Sequence, residues 1–175
     1  MKQSVKTSKV IVIAGAAASG KSHYAKKLKR KYGLQILDLD DSLAEMIKKE
    51  QDKISEIGME NFLAEIRDFR YRDLQARGVK AIEAGQSVAL VAPFSRHIQD
   101  VNLWKEFCAP FIELGLEPEL HWIRVNNSER AARLLRRGAE RDMEKIRTSE
   151  RLQDYLGASD ISPPIHPHFE VDGTK

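Results

Sequence analysis

Val10-Ile11-Val12-Ile13-Ala14-Gly15-Ala16-Ala17-Ala18-Ser19-Gly20-Lys21-Ser22 runs from an apolar, β-branched stretch through a glycine-bounded loop into a segment of helical periodicity. The apolar run fits a strand buried on both faces. From Ser22 to Lys31 the residues suit a helix, with Ala25, Leu28 and Tyr32 on one stripe. Strand, tight loop and helix in succession begin a parallel α/β fold.

Within that stretch, Gly15 to Ser22 matches G-x-x-x-x-G-K-[ST], the Walker A pattern, in the strand–loop–helix setting that gives the pattern its meaning. Gly15 and Gly20 allow the loop to wrap its N–H groups around phosphate oxygens where a Cβ would clash, and Ala16, Ala17, Ala18 and Ser19 are small enough to keep the approach open. Lys21 supplies a point charge to the β- and γ-phosphates; an opposed pair at about 4 Å is worth about 4 kcal/mol at an effective dielectric near 20. The helix N-terminus adds partial positive charge. Ser22 is placed to hold Mg²⁺ through its hydroxyl. The expected cofactors are ATP and Mg²⁺.

The alternation continues outward. Leu34 to Asp40 reads as a second strand, and Ser42-Leu43-Ala44-Glu45 as a capping box opening a helix. Glu60 to about Ala84 has a long helical pattern closed by Gly85; Ser87 to Ala92 is a third strand stopped by Pro93. A helix over His97 to Leu114, a strand over Leu120 to Val125, a helix over Asn127 to Arg137 ending at Gly138, and a short final strand near Phe169 complete the series. This predicts an α/β fold of three layers, a mainly parallel sheet with helices on both faces, and sites at the carboxyl ends of the strands. No linker divides the chain, so residues 1–175 are expected to form one domain.

At 175 residues and 42% hydrophobic the chain can bury one core. Charged residues make up 31% but leave a net charge of only +3, which disfavours a dedicated nucleic-acid binder without excluding nucleic acid. The single cysteine, Cys108, fits a reducing compartment. Lys2, Lys6 and Lys9 before Val10–Ala18 imitate a secretory signal, but the run is short and leads straight into the phosphate loop. No stretch approaches the length of a membrane span. The expectation is a cytoplasmic protein without a membrane partner.

The third strand ends Leu90-Val91-Ala92-Pro93, without the Asp-Glu of AAA-type motors, and the Asn-Lys-x-Asp base-reading motif of GTPases is absent. Instead, Asp38, Asp40 and Asp41 gather at the carboxyl end of the second strand, expected beside the first strand. Strand periodicity puts Asp38 and Asp40 on one face. One could help hold Mg²⁺, with Asp38 the metal-side candidate, while Asp40 accepts a proton from, or orients, an attacking hydroxyl. Asp41 competes as a helix-terminus carboxylate. Arg96, past a strand end, and Arg67 and Arg70 on the long helix are candidate acceptor contacts, against the alternative of a solvated face. His166 and His168 read as a structural tail bordering the adenine, and Trp104, Phe107, Phe111 and Trp122 as core.

Together these residues resemble the P-loop small-molecule kinases of the shikimate and gluconate kinase type, with their zeta-toxin-like and polynucleotide-kinase-like relatives, from Val10 to about Asp172. The resemblance implies that Asp38, Asp40 and Asp41 stand for the family's acceptor-contacting Asp-x-Asp. It also implies that Arg133, Arg136, Arg137 and Arg141 stand for an arginine-rich lid over ATP near residues 130–145. Arg130, Arg133 and Arg137 share a helix face, and Gly138 permits a bend, so Arg137 or Arg141 is expected to fold over the phosphates. The alternative is a basic helix face paired with Glu140 and Glu144. Leu63 stands where shikimate kinase has its acceptor-binding arginine, and Ala92-Pro93-Phe94-Ser95-Arg96 replaces its Gly-Gly turn, so shikimate is not the implied acceptor. The expected activity is transfer of the γ-phosphate of ATP to a hydroxyl of a small metabolite. A nucleoside, nucleotide or polynucleotide 5′-hydroxyl, a cell-wall precursor or antibiotic, or a non-catalytic ATP-binding regulatory module are the alternatives.

Overall fold

A computed structural model describes residues 7–138 and 143–175, apart from the side chains of 144 and 145. The first strand, β1 (Val10–Gly15), is buried along its whole length, as its β-branched run requires. Helix α1 (Lys21–Tyr32) buries Ala25 and Leu28 and ends at Gly33. Then follow β2 (Gln35–Asp38), α2 (Leu43–Lys49), α3 (Gln51–Ile57) and the 25-residue α4 (Met59–Glu83). Strand β3 (Val88–Val91), α5 (Val101–Glu113), β4 (Glu119–Arg124), α6 (Asn127–Arg137), α7 (Met143–Ile146), α8 (Ser149–Ala158) and β5 (Phe169–Asp172) complete the chain.

The sheet is parallel throughout, in the order β2-β3-β1-β4-β5. This corrects the expectation that the second strand lies beside the first: β3 separates them. β1, apolar on both faces, takes the centre, while β2, which begins with an exposed Gln35 and ends on a half-buried Asp38, takes the edge. Alternating side chains of β1 feed two cores. Val10 and Val12 face α4 and α5 with Leu74, Leu90, Phe107, Phe111 and Trp122. Ile11 and Ile13 face α1 with Ala25, Leu28 and Val91.

The helix expected over His97–Leu114 is broken. A 3₁₀ turn occupies His97–Gln99, and an extended Asp100 caps α5 by accepting from the N–H groups of Asn102 (2.8 Å) and Leu103 (2.9 Å). Pro110 inside α5 cannot bond the Glu106 carbonyl four residues back; Gln75 of α4 donates to it instead (3.0 Å) and to Phe107 O (2.8 Å). The capping box at Ser42 does not form, because Ser42 has helical dihedrals (φ −99°, ψ −4°) and its hydroxyl makes no cap bond. Helix α3 follows α2 as a separate element after Glu50, and α8 covers the stretch around Asp154 to Gly157, whose residues read as helical in the sequence. α8 is opened by Thr148, whose hydroxyl accepts from Arg151 N–H, and it closes a small third core of Leu134, Leu152 and Leu156 against α6.

Candidate functional site

The phosphate loop sits at the carboxyl end of β1. Gly20 adopts φ +97°, a region that favours glycine, and Ala18 is held at φ +59°. Lys21 Nζ donates to the carbonyls of Gly15 (2.9 Å) and Ala16 (2.8 Å). Burial pushes its pKa down to about 8, opposed by Asp38 and then Asp40, whose charges favour the ammonium form. Ser22 is exposed in the first turn of α1.

The loop is braced from behind by α6. Arg130, fully buried, donates through Nε to Ala17 O (2.8 Å) and through its other nitrogens to Asn127 Oδ1 (2.8 Å), Ser159 Oγ (2.6 Å) and Leu156 O (3.3 Å). Arg133 donates to Ser19 O (3.0 Å) and to Gly173 O past the end of β5, with Glu129 holding its Nε (2.8 Å). These bonds tie the loop carbonyls of Ala17 and Ser19 to α6. The shared face of Arg130, Arg133 and Arg137 therefore serves a different end from the one expected of a lid: the first two are tied to backbone oxygens, and only Arg137 is exposed beside the adjoining cavity. Arg141, with Glu140 and Asp142, lies outside the described residues, as does the side chain of Glu144.

The acidic segment is a turn, not a strand face. β2 ends at Asp38, so the two-residue period does not carry to Asp40. Asp38 Oδ1 accepts from Asp40 N–H (2.9 Å), and Asp41 Oδ2 accepts from Asp38 N–H (2.9 Å). Asp41 thus closes the turn and pairs with Arg77 (3.2 Å) instead of serving the α2 terminus. Asp40 pairs with Arg70, whose side chain is mostly buried and also donates to Leu39 O (3.3 Å). Asp38 has its carboxyl pKa raised, chiefly by burial and then by Asp40 and Asp41, against the Asp40 N–H bond and Lys21, which favour the anion. Arg77, which also donates to Asp38 O (3.0 Å), escaped the sequence reading. Its signal was the seven-residue spacing from Arg70 along α4.

Two cavities flank this centre. A large one of about 860 Å³ lies among Gly20, Tyr24, Lys27, Arg133, Arg137 and Thr174. A smaller one of about 290 Å³ lies between α4 and the segment after β3, where Arg67, Arg70 and Arg96 come together with Tyr71 and His97. Arg96 pairs there with Asp68 (3.1 Å). His166 and His168 line neither cavity. His166 stacks on Trp104 (5.2 Å between centroids) and meets His97 O through Nε2 (3.1 Å), which fastens the tail. Among the described residues no three His, Cys, Asp or Glu side chains converge as a metal cluster. Ser22 and Asp38 supply hard oxygen ligands of the kind Mg²⁺ takes sparingly, completing its shell from phosphates and water. No helix among the described residues is long and apolar enough to cross a membrane.

No curated protein sequence matches the chain. Three solved structures show its fold. A candidate kinase from Chloroflexus aurantiacus aligns with TM-score 0.66 and 17% identity over 96% of this chain and 86% of that one. A gluconokinase from Sinorhizobium meliloti aligns with TM-score 0.59 and 12% identity over 97% and 85%. A shikimate kinase from Bacteroides thetaiotaomicron aligns with TM-score 0.59 and 16% identity over 86% and 77%. The family profile described as an AAA domain matches residues 10–159. With the phosphate loop, the parallel sheet and that match over most of its length, the chain belongs to the AAA domain family and has the fold of the P-loop kinases.

Proposed function

We propose that this protein is an ATP-dependent phosphotransferase that moves the γ-phosphate to a hydroxyl of a small metabolite, using residues 1–175 as one catalytic domain. The observation that carries the reading is a phosphate loop whose Lys21 feels the charges of Asp38 and Asp40, with a large cavity adjoining the loop at Gly20 and a small one adjoining the acidic turn at Leu39 and Arg70. Residues Gly15 to Ser22 hold the phosphates of ATP, with the base and ribose in the larger cavity. Ser22 and Asp38 would hold Mg²⁺, whose charge would offset that of the phosphates. The acceptor sits in the smaller cavity against Asp40, Arg70 and Arg96.

The acceptor oxygen attacks the γ-phosphorus, the bond from that phosphorus to the β–γ bridging oxygen breaks, and ADP leaves. The hydroxyl proton passes to a carboxylate of the turn. Asp40, which Arg70 holds beside the smaller cavity, is the carboxylate placed to take that proton or orient the hydroxyl. Lys21, with Arg137 or Arg141, offsets charge on the transferring group.

The test is ADP release from Mg·ATP across sugar acids, polyols, nucleosides and 5′-hydroxyl oligonucleotides. Acceptor-dependent turnover that is lost in Lys21→Ala and falls at least about a hundredfold in Asp38→Asn or Asp40→Asn is expected. Tight ATP binding with no acceptor raising turnover would overturn the reading in favour of a nucleotide-gated binding module.

A further inference from the structure

Helix α1 carries six cations, Lys21, Lys26, Lys27, Lys29, Arg30 and Lys31, and no carboxylate, while the whole chain nets only +3. The remaining residues are therefore net negative, and the small net charge conceals a strongly polarised surface. Lys21 is turned into the phosphate loop, and the other five are exposed. Among the described residues none of the five has an ion pair with a carboxylate, and only Lys27 makes a side-chain hydrogen bond, to Lys175 O (3.1 Å). The helix dipole favours Lys29, Arg30 and Lys31 in the last turn, but Lys26 and Lys27 lie ahead of it. They stand three and four residues from those cations, like-charge spacings that weaken a helix until an anion settles among them. Ala25 and Leu28 point into the core, which turns all five cations outward.

The spacing matches a phosphate backbone. Lys26 to Lys31 covers about 7.5 Å of helix axis, and a B-form duplex carries about four phosphate charges over that length. The face offers little else to a partner. No large apolar side chain of α1 is exposed with which to enter a lipid surface. Its rings are not open to stack on a base: Lys31 and Lys9 sit over the Tyr32 ring (5.0 and 5.6 Å to the centroid), and Tyr24 shares a hydrogen bond with His121 Nδ1 (2.7 Å). Four of the five cations are lysines, point charges without the planar fork that reads base edges.

We propose that the outer face of α1 binds the phosphate backbone of double-stranded nucleic acid without reading its sequence. Lys26, Lys29, Arg30 and Lys31 meet the phosphates, and Lys27 stands at the edge, where it also borders the large cavity. This binding is independent of the acceptor cavity and of the phosphotransferase reading: α1 meets a nucleotide with its N-terminus and a duplex with its flank.

The test follows a fluorescent DNA duplex of about 20 base pairs by anisotropy between about 50 and 200 mM KCl. A Kd of about 1–100 µM near physiological salt is expected, with the logarithm of affinity falling against that of salt at a slope of about −3 to −4, as for three or four neutralised phosphates. Two duplexes of different sequence should bind within about fivefold of each other, and a single-stranded oligouridylate more weakly. The triple substitution Lys26→Gln, Lys29→Gln, Arg30→Gln should lower affinity at least about tenfold and flatten the slope by about 2 to 3. Calorimetric binding of Mg·AMPPNP should be unchanged in it, because none of the three borders the large cavity. Removing like-charge neighbours should also leave α1 at least as stable, which thermal unfolding checks. The triple substitution Lys48→Gln, Lys49→Gln, Lys53→Gln on α2 and α3 changes the net charge equally and should lower affinity by less than half as many fold as the first. No duplex binding at about 50 mM KCl, as large a loss in the second variant as in the first, a sequence preference above about fivefold, tighter binding of the single strand, or adsorption to phosphatidylserine vesicles without duplex binding would each overturn the proposal.

Discussion

Lys21 shows how one residue answers to two opposed equilibria. Its pKa of about 8 lies below the ordinary lysine value because burial disfavours the ammonium form, and a bound phosphate favours that form. Nucleotide affinity is therefore expected to hold below about pH 8 and to fall by up to about tenfold per pH unit above it, as the free protein loses a proton that the complex retains. Calorimetric titration of Mg·ATP across this range checks it, and Lys21→Arg should flatten the profile. Stability moves the other way: between about pH 8 and the unfolded lysine pKa the unfolded chain holds the extra proton, so this residue adds stability as pH rises. Arg130 is a buried cation held largely by backbone carbonyls, with exposed Asp160 at 3.7 Å. Arg130→Ala strands the oxygens of Ala17 and Leu156 and should cost about 3 kcal/mol in urea unfolding. Arg130→Met, which fills the space without the bonds, should recover less than half of that loss.

Among the elements, the contact of β5 with the phosphate loop carries the closest fit. A Cβ on Gly173 would lie 2.6 Å from Ser19 O and 3.0 Å from Arg124 O, backbone atoms that cannot swing aside. Gly173→Ala should push the end of β5 away from the loop, loosen the Arg133 bridge, and lower stability by about 1–3 kcal/mol. Differential scanning calorimetry would read this as a lower Tm, and titration with Mg·ATP as weaker binding. The α4–α5 contact follows a related logic. Pro110 frees a carbonyl and Gln75 satisfies it, so Gln75→Ala should cost about 1–2 kcal/mol in denaturant unfolding, although Gln75 lies outside both cavities.

For the molecule as a whole, Cys108 offers a probe of global opening. Its side chain is buried on α5, and burial, then Glu117, pushes the thiol pKa up to about 12. Labelling by a disulfide reagent at neutral pH should run at least about a hundredfold slower in the native protein than in urea, and slower still with Mg·ATP, because ligand binding depopulates open states. Rapid labelling of the native protein would mean that α5 opens locally, against the continuous core it shares with β1, β3 and α4.

The sequence by itself determined the phosphate loop, the alternation of strands and helices, and the central burial of β1, because each is local: a motif of eight residues, a period of two or 3.6, a β-branched run. It determined α6 to the residue, since Asn126 caps one end and Gly138 closes the other. Only the tertiary structure decided the sheet order, which rests on competition among strands for the buried centre. The same holds for the arginines: in the sequence Arg130 and Arg133 are charges on a helix face, but residues more than a hundred positions apart make them braces of the loop. The Asp38–Asp41 turn met Arg70 and Arg77, and His97 met Tyr71, only once β2, β3 and α4 had packed together. Local periodicity reports which way a side chain faces along its own element; its partner is set by long-range packing, which no local period encodes.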